Sequence, residues 1–400
     1  MAKRITLVTS GHLSSCPRLI KEAKYFLSLG HKVNVICVES IPRLLLKDVE
    51  LANSLEWEVK MICWNGNGVY NFWNKFLSIF LYYISKLLNK KNSFCFKNTY
   101  WLYKEISKLE SDIVIAHQFN SFLAVSRLRK NFKFVYDVED AYAFMDKGSS
   151  LVNYNENIKD LEGKFIGKVD VIIYSSPFYK ELYESIYSIK VPSIVIYNVF
   201  SEFSKHDVHL RFRDRISASK VSIYWFSQTI GLDRGIQEFL TMLDSLDMKG
   251  WEVHLRGATT ENVKSAILGS VNNAYSKENI FFHQPVSFSD LAVLNKEHDI
   301  GLALEHKNSL NKDYCISNKL FDYMSAGLSI IYSNTKGQSY IMSDYKDYFL
   351  EYNENDEFKN RLFQILNDKE LLNKSKQKSR ELSKLYNIEK EQKKYNLLFE

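Results

Sequence analysis

Five prolines and fifteen glycines in 400 residues leave no room for a long disordered linker, so the chain is expected to fold throughout. The five cysteines (Cys16, Cys37, Cys63, Cys95, Cys315) are odd in number, widely spaced and form no Cys-x-x-Cys pair. That pattern indicates neither a disulfide framework nor a zinc site, and it fits a reducing, cytosolic setting. Nowhere do about 20 apolar residues run unbroken, as a spanning helix requires. The opening Met-Ala-Lys-Arg-Ile-Thr-Leu-Val enters a strand with no apolar signal region, so a cytoplasmic location is expected. No Lys/Arg block is long enough to track a duplex backbone, and zinc-finger spacing and RNA-recognition signatures are missing, so nucleic acid is not an expected partner.

What is present fits a globular protein, with 46% hydrophobic and 25% charged residues. A net charge of +6 suits an anionic ligand or an anionic membrane surface. The length predicts two domains of about 200 residues each. Arg4 to Ser10 reads as a strand, Gly11-His12 as a turn, Pro17 to Leu29 as a helix stopped by Gly30, and Val33 to Val38 as a second strand, which together make a βαβ unit. Strand-like runs recur at Glu58 to Cys63, Ile113 to Ala116, Lys133 to Asp137, Val169 to Ser175 and Ser193 to Asn198. After a polar stretch to Lys220 a second series begins, with Ser222 to Phe226, Trp251 to Arg256, Ile280 to Phe282, Ile300 to Leu304 and Ser329 to Tyr332. The α/β pattern restarts, so the expectation is two Rossmann-like domains, 1–198 and 199–381, facing each other across a cleft, with a C-terminal helix at about 382–400 returning to the first.

The most informative stretch is Ser317-Asn318-Lys319-Leu320-Phe321-Asp322-Tyr323-Met324-Ser325-Ala326-Gly327. Ser317 is placed to cap a helix whose N-terminus favours anions, Lys319 adds positive charge there, and Asp322 can accept from hydroxyls. A diphosphate and a ribose diol both fit that chemistry, as does an ordinary amphipathic helix ended by Gly327. Among the other histidines, His206, His209, His254, His298 and His306 show no metal-ligand spacing and read as surface or structural residues, His31 follows Gly30 at a helix-to-strand turn, and His283 follows an apolar strand in a position open to the cleft.

Taken together, these pieces resemble the retaining glycosyltransferases of the GT-B fold, in particular the large family four, over nearly the whole chain. Those enzymes carry an Asn-Lys-Leu-Phe-Glu-Tyr-Met-Ala-Ala-Gly type helix, repeated here from Asn318 to Gly327 with Asp322 at the glutamate position. The resemblance implies that Asp322 holds the ribose of the donor. A second family glutamate, eight residues earlier, is Tyr314 here. Ile223 to Gly235 resembles the loop whose Arg and Lys meet the diphosphate, with Gln228 and Arg234 at those positions and Ser227 beside them. Ile113-Val114-Ile115-Ala116-His117 looks like the strand that ends in a histidine orienting the acceptor, and Ser10-Gly11-His12 like the glycine-containing first loop. Pro17 to Ala23, including Arg18, resembles the early helix, and Ile196 to Val199 the interdomain hinge.

The resemblance therefore implies a donor site of Gly11, Ser227, Gln228, Arg234, Ser317, Asn318, Lys319, Leu320 and Asp322. The acceptor side would be His12, Arg18, His117, Asp137 and Glu139, and His117, Arg234 and Asp322 would carry the chemistry. Cationic groups and a helix N-terminus replace a metal in this family, so neither metal nor cofactor is expected, and Asp137-Val138-Glu139-Asp140 is assigned to the acceptor side. The partners implied are a nucleotide diphosphate sugar, UDP before GDP, and a glycan or lipid-linked acceptor of bacterial-type surface polysaccharide synthesis. Residues 72–91 show a wide apolar and aromatic helical face beside Lys90, Lys91 and Lys97, which suits either a core helix or peripheral contact with the inner face of a membrane. Two rival functions share these features: a nucleotide-sugar 2-epimerase, and a non-catalytic glycan or nucleotide-sugar binder at the membrane.

Overall fold

A computed structural model of the chain describes residues 1–39, 41–54, 57–63, 98–129, 131–145, 154–199 and 219–400, with scattered positions between 72 and 87. It divides into two units, Met1–Tyr197 with Lys394–Glu400, and Asn198–Lys393. The C-terminal return expected over 382–400 is thus narrower, because Lys369–Ser383 and Ile388–Lys393 are helices of the second unit. The returning residues are anchored chemically: Tyr395 donates to Glu22, Lys133 Nζ to the Leu398 carbonyl (2.8 Å), and Lys394 Nζ to the Val195 carbonyl (3.1 Å).

Within the first unit, the described strands are β1 (Arg4–Thr9), β2 (Lys32–Glu39), β3 (Glu58–Cys63), β4 (Ile113–His117), β5 (Lys133–Val138), β6 (Val171–Tyr174) and β7 (Ser193–Val195). They form one parallel sheet in the order β3-β2-β1-β4-β5-β6-β7. In the second unit, β8 (Val221–Thr229), β9 (Trp251–Ala258), β10 (Ile280–His283), β11 (Ile300–Ala303), β12 (Ser329–Ser333) and β13 (Leu350–Tyr352) repeat that plan as β10-β9-β8-β11-β12-β13. Both are Rossmann-like, and in each the strand order reverses beside the first strand, between β1 and β4 and between β8 and β11. β4 is buried at every position, which is why it reads as a continuous apolar run ending in one polar residue. The short edge strand β13 is the one strand of the second sheet that the apolar pattern did not show, because an edge of three residues carries too little periodicity.

One packing detail places the key helix. Gly301 on β11 has no side chain because the ring of Tyr323 lies over it; a Cβ there would come within 2.4 Å of the ring. Tyr323 is fully buried, and its hydroxyl donates to the Leu302 carbonyl (3.2 Å). Helix Asn318–Ala326 therefore lies directly on the sheet and ends at Gly327, whose φ of 72° is the left-handed conformation that glycine adopts at low cost.

Candidate functional site

In the second unit, three segments meet at the carboxyl end of the sheet beside the β8/β11 switch point: the residues after β8, those after β11, and the N-terminus of helix Asn318–Ala326. Arg234, half-buried in the loop after β8, donates from Nη1 to Glu305 Oε2 (2.6 Å). Glu305 lies two residues beyond β11, and its own amide donates to Ser333 Oγ at the end of β12 (2.8 Å). Lys312, from the short helix Leu310–Tyr314, brings its ammonium to 3.7 Å from Glu305 Oε1 and 3.4 Å from Asp233 Oδ2. Lys319 places its ammonium 5.4 Å from the ring centre of Trp225 and 5.9 Å from that of Phe226. Burial pulls Lys319 below the ordinary lysine value; Glu305 opposes that shift and Arg234 adds to it. Arg234 and Lys312 thus flank the largely buried Glu305 carboxylate, with the exposed Asp233 beside both and Lys319 near enough for Glu305 to act on it.

Ser317 occupies the N-cap position, but its hydroxyl makes no capping hydrogen bond; its carbonyl instead accepts from the Leu320 amide (3.1 Å). The expected side-chain cap is therefore corrected, and the positive polarity of this end comes from backbone amides that no intrahelical carbonyl reaches. Asp322 is 8% exposed and one turn further along, near Lys319, while Leu320 is fully buried and holds the helix to the core. Ser227 is half-buried and Gln228 exposed near the end of β8. Glu305 and Lys312 are additions that motif reading missed. Glu305 had a signal, being an acidic residue just past an apolar strand, as His117 is a histidine ending one.

In the first unit the structure brings Arg18, His117, Asp137 and Glu139 into a single cluster and adds Glu22. Arg18 Nε donates to Asp137 Oδ2 (2.6 Å) and Nη1 to the Ile196 carbonyl (2.9 Å). His117, with its side chain wholly buried, has Nε2 at 3.0 Å from Glu22 Oε2 and Nδ1 at 2.9 Å from Glu139 Oε1, with Asp137 Oδ2 at 3.6 Å. Burial alone would lower its pKa, but Glu22, Glu139 and Asp137 outweigh that and hold it well above the usual histidine value. That shift favours the protonated ring, in which neither nitrogen keeps a lone pair to take a hydroxyl proton.

Glu22, His117 and Asp137 have ligand atoms within 4.8 Å of one another, close enough for a divalent cation. The Arg18 guanidinium is already bonded to Asp137 and lies 3.5 Å from Glu22, so a positive charge stands beside both carboxylates. His12 stands apart from this cluster. Its Nδ1 is 2.5 Å from Asp48 Oδ2, and its Nε2 accepts from the Ile41 amide (2.7 Å), tying the first loop to helix Pro42–Asn53. The Gly11 amide donates to Thr9 Oγ1 (3.1 Å), and a Cβ on Gly11 would sit 3.2 Å from Gln118 Nε2.

Of the segment 72–91, the positions Trp73 to Lys75, Ser78, Tyr82, Ser85, Lys86 and Leu88 to Lys91 lie outside the described residues, as do Lys97, His206 and His209. Among its described positions, Phe72, Phe76, Ile79, Phe80, Tyr83 and Leu87 are helical and exposed. Leu45, Leu46 and Val49 of helix Pro42–Asn53 are exposed as well. No helix among the described residues is long and apolar enough to cross a membrane.

Residues 238–388 match a family model described as glycosyl transferase-like. No curated protein matches the sequence. Solved structures match over the full length: a glycosyltransferase from Rickettsia africae (15% identity, TM-score 0.64, covering 100% of this chain and 97% of that one) is one. HepE from Anabaena, solved with UDP and glucose, is another (12%, 0.68, 99% of each). Sucrose-phosphate synthase from Thermosynechococcus elongatus is a third (13%, 0.67, 99% and 98%). At these identities the likeness shows the fold, which is GT-B.

Proposed function

We propose, for this GT-B chain with its glycosyl transferase-like segment at 238–388, that it transfers a sugar from a nucleotide diphosphate donor, UDP before GDP, to a glycan or lipid-linked acceptor of surface polysaccharide synthesis. The observation that carries this reading is the pairing of Arg234 and Lys312 on Glu305 with Lys319 at the helix start, and the carboxylate of Asp322 one helix turn beyond Lys319, at the switch point of the second sheet. A diphosphate needs the first and a ribose diol the second. HepE, solved with UDP and glucose, supports the choice of UDP.

The chemistry follows from charge. As the glycosidic bond to the leaving diphosphate breaks, negative charge builds on its oxygens, and Arg234, Lys319 and the helix amides stabilise it without a metal. Attack on the departing group's own face, retaining the anomeric configuration, is the proposed course. Because its carboxylate neighbours raise the pKa of His117, its role toward an acceptor is electrostatic and orienting, with Arg18, Asp137 and Glu139 as its fixed surroundings. UDP is expected to raise the melting temperature of the chain more than GDP, and an NMR time course with UDP-sugar and acceptor should show a retained anomer in the product. Conversion of donor alone would establish the epimerase, binding without turnover the non-catalytic binder, and an inverted product would end the retaining assignment.

The exposed apolar positions on 72–87 and on helix Pro42–Asn53 support peripheral contact of the first unit with an anionic membrane from the cytoplasmic side. Flotation with liposomes containing anionic lipid is expected to carry the protein upward. Phe76→Ser combined with Leu46→Ser should leave it at the bottom, and equal flotation of that variant would remove this reading.

A further inference from the structure

The cations at the donor site differ in how far sequence reading reached them. Arg234 and Lys319 lie in recognisable stretches, whereas Lys312 lies in neither. Its placement is nonetheless specific. The helix that bears it starts at Ser309, whose hydroxyl accepts from the Lys312 amide (3.2 Å), so the backbone at Lys312 is fixed by a cap. Its side chain is 17% exposed and reaches the carboxylate that Arg234 already holds. Glu305 bridges the pair, with Oε2 at 2.6 Å from Arg234 and Oε1 at 3.7 Å from Lys312.

A carboxylate spanning two cations marks a separation that two oxygens of one phosphoryl group also span. Arg234 alone offers one full charge to a ligand carrying at least two. Lys319 spends part of its field on the Trp225 and Phe226 rings. Asp233, the other acidic neighbour of Lys312, accepts a hydrogen bond from its Nζ (3.4 Å) but is 61% exposed, so that pull is screened by water.

From this we infer that Lys312 is a diphosphate-binding residue, forming with Arg234 a two-cation clamp that Glu305 holds at phosphoryl spacing. This rests on the donor-site reading above and adds to it the residue that completes the charge. An incoming diphosphate takes hydrogen bonds from both cations at once, and Glu305, pinned through its amide to Ser333, keeps them from drifting apart when the site is empty.

The test is calorimetric titration of the full chain with UDP and, separately, with inorganic pyrophosphate, for the native protein, Lys312→Ala and Lys312→Arg, with the melting midpoint of each as a check on folding. Lys312→Ala is expected to weaken both ligands at least about tenfold, the effect of one lost charge-assisted hydrogen bond, with the midpoint unchanged and Lys312→Arg restoring most of the affinity. Unchanged UDP affinity in Lys312→Ala would overturn the inference while leaving the donor site standing. A loss that arginine does not rescue, accompanied by a lower midpoint, would also overturn it, by showing a structural role. Lys312-dependent pyrophosphate binding with no UDP binding would uphold the clamp and remove the nucleotide-sugar reading. Failure of the native protein to bind either ligand would remove both.

Discussion

Arg18→Met is expected to lower the unfolding free energy of the first unit by about 3–5 kcal/mol, the range found when one partner of a buried ion pair is removed. The side chain is similar in volume, so little of the loss is a cavity. The cost comes from Asp137 and Glu22, both inaccessible to water, which would lose their guanidinium partner and be left facing His117. Urea midpoints measure it, and Asp137→Asn added to Arg18→Met should recover part of the loss because it removes the orphaned charge. The histidine contributes its own pH signature. Its folded pKa is raised, so the stability it supplies is complete below the ordinary histidine value and is lost as pH climbs through the raised folded value. Native stability should therefore decline from just above the ordinary histidine value, through neutrality, toward the raised folded value. A loss under about 1 kcal/mol in Arg18→Met would show that these charges are solvated rather than locked together.

Asp322→Ala is expected to weaken UDP binding by about 10- to 100-fold, since a carboxylate accepting from two ribose hydroxyls loses two charge-assisted hydrogen bonds. The melting temperature should move far less than that loss in binding implies, because the helix is held by Leu320, Phe321, Tyr323 and Met324, all buried, and by the contact of Tyr323 with Gly301. Titration with UDP together with a melting curve separates the two effects. Survival of UDP affinity in Asp322→Ala would mean that this helix is not the donor site. The two predictions differ in kind: the first expects a loss of stability, the second a loss of binding.

Much of the fold could be read directly because parallel strands buried on both faces must be apolar along their length. Runs such as Ile113 to Ala116 or Ser329 to Tyr332 therefore announced themselves, and the restart of the pattern near Lys220 marked the second sheet. The short strand Leu350–Tyr352 did not, for want of length. Helix Asn318–Ala326 was legible because a capping position, an apolar face and a terminal glycine follow one another within one helix.

Partners across space were not legible in that way. Arg18 and Glu22 are four residues apart on one helix, so their meeting was open to inspection, but Arg18 with Asp137 spans 119 residues and Tyr395 with Glu22 spans 373. Nor does a residue type announce its proton affinity: His117 at a strand end reads as an acceptor-facing histidine, and only the carboxylates packed around it raise its pKa. Ser317 has the right residue at the right position, and only its actual rotamer and backbone show that its hydroxyl leaves the opening amides uncapped. The order of residues thus settled what could pack, through hydrophobic period and local backbone preference. Folding settled which charges face each other and how far apart they are held, because electrostatic partners are chosen by distance in space and by exclusion of water, which separation along a chain does not encode.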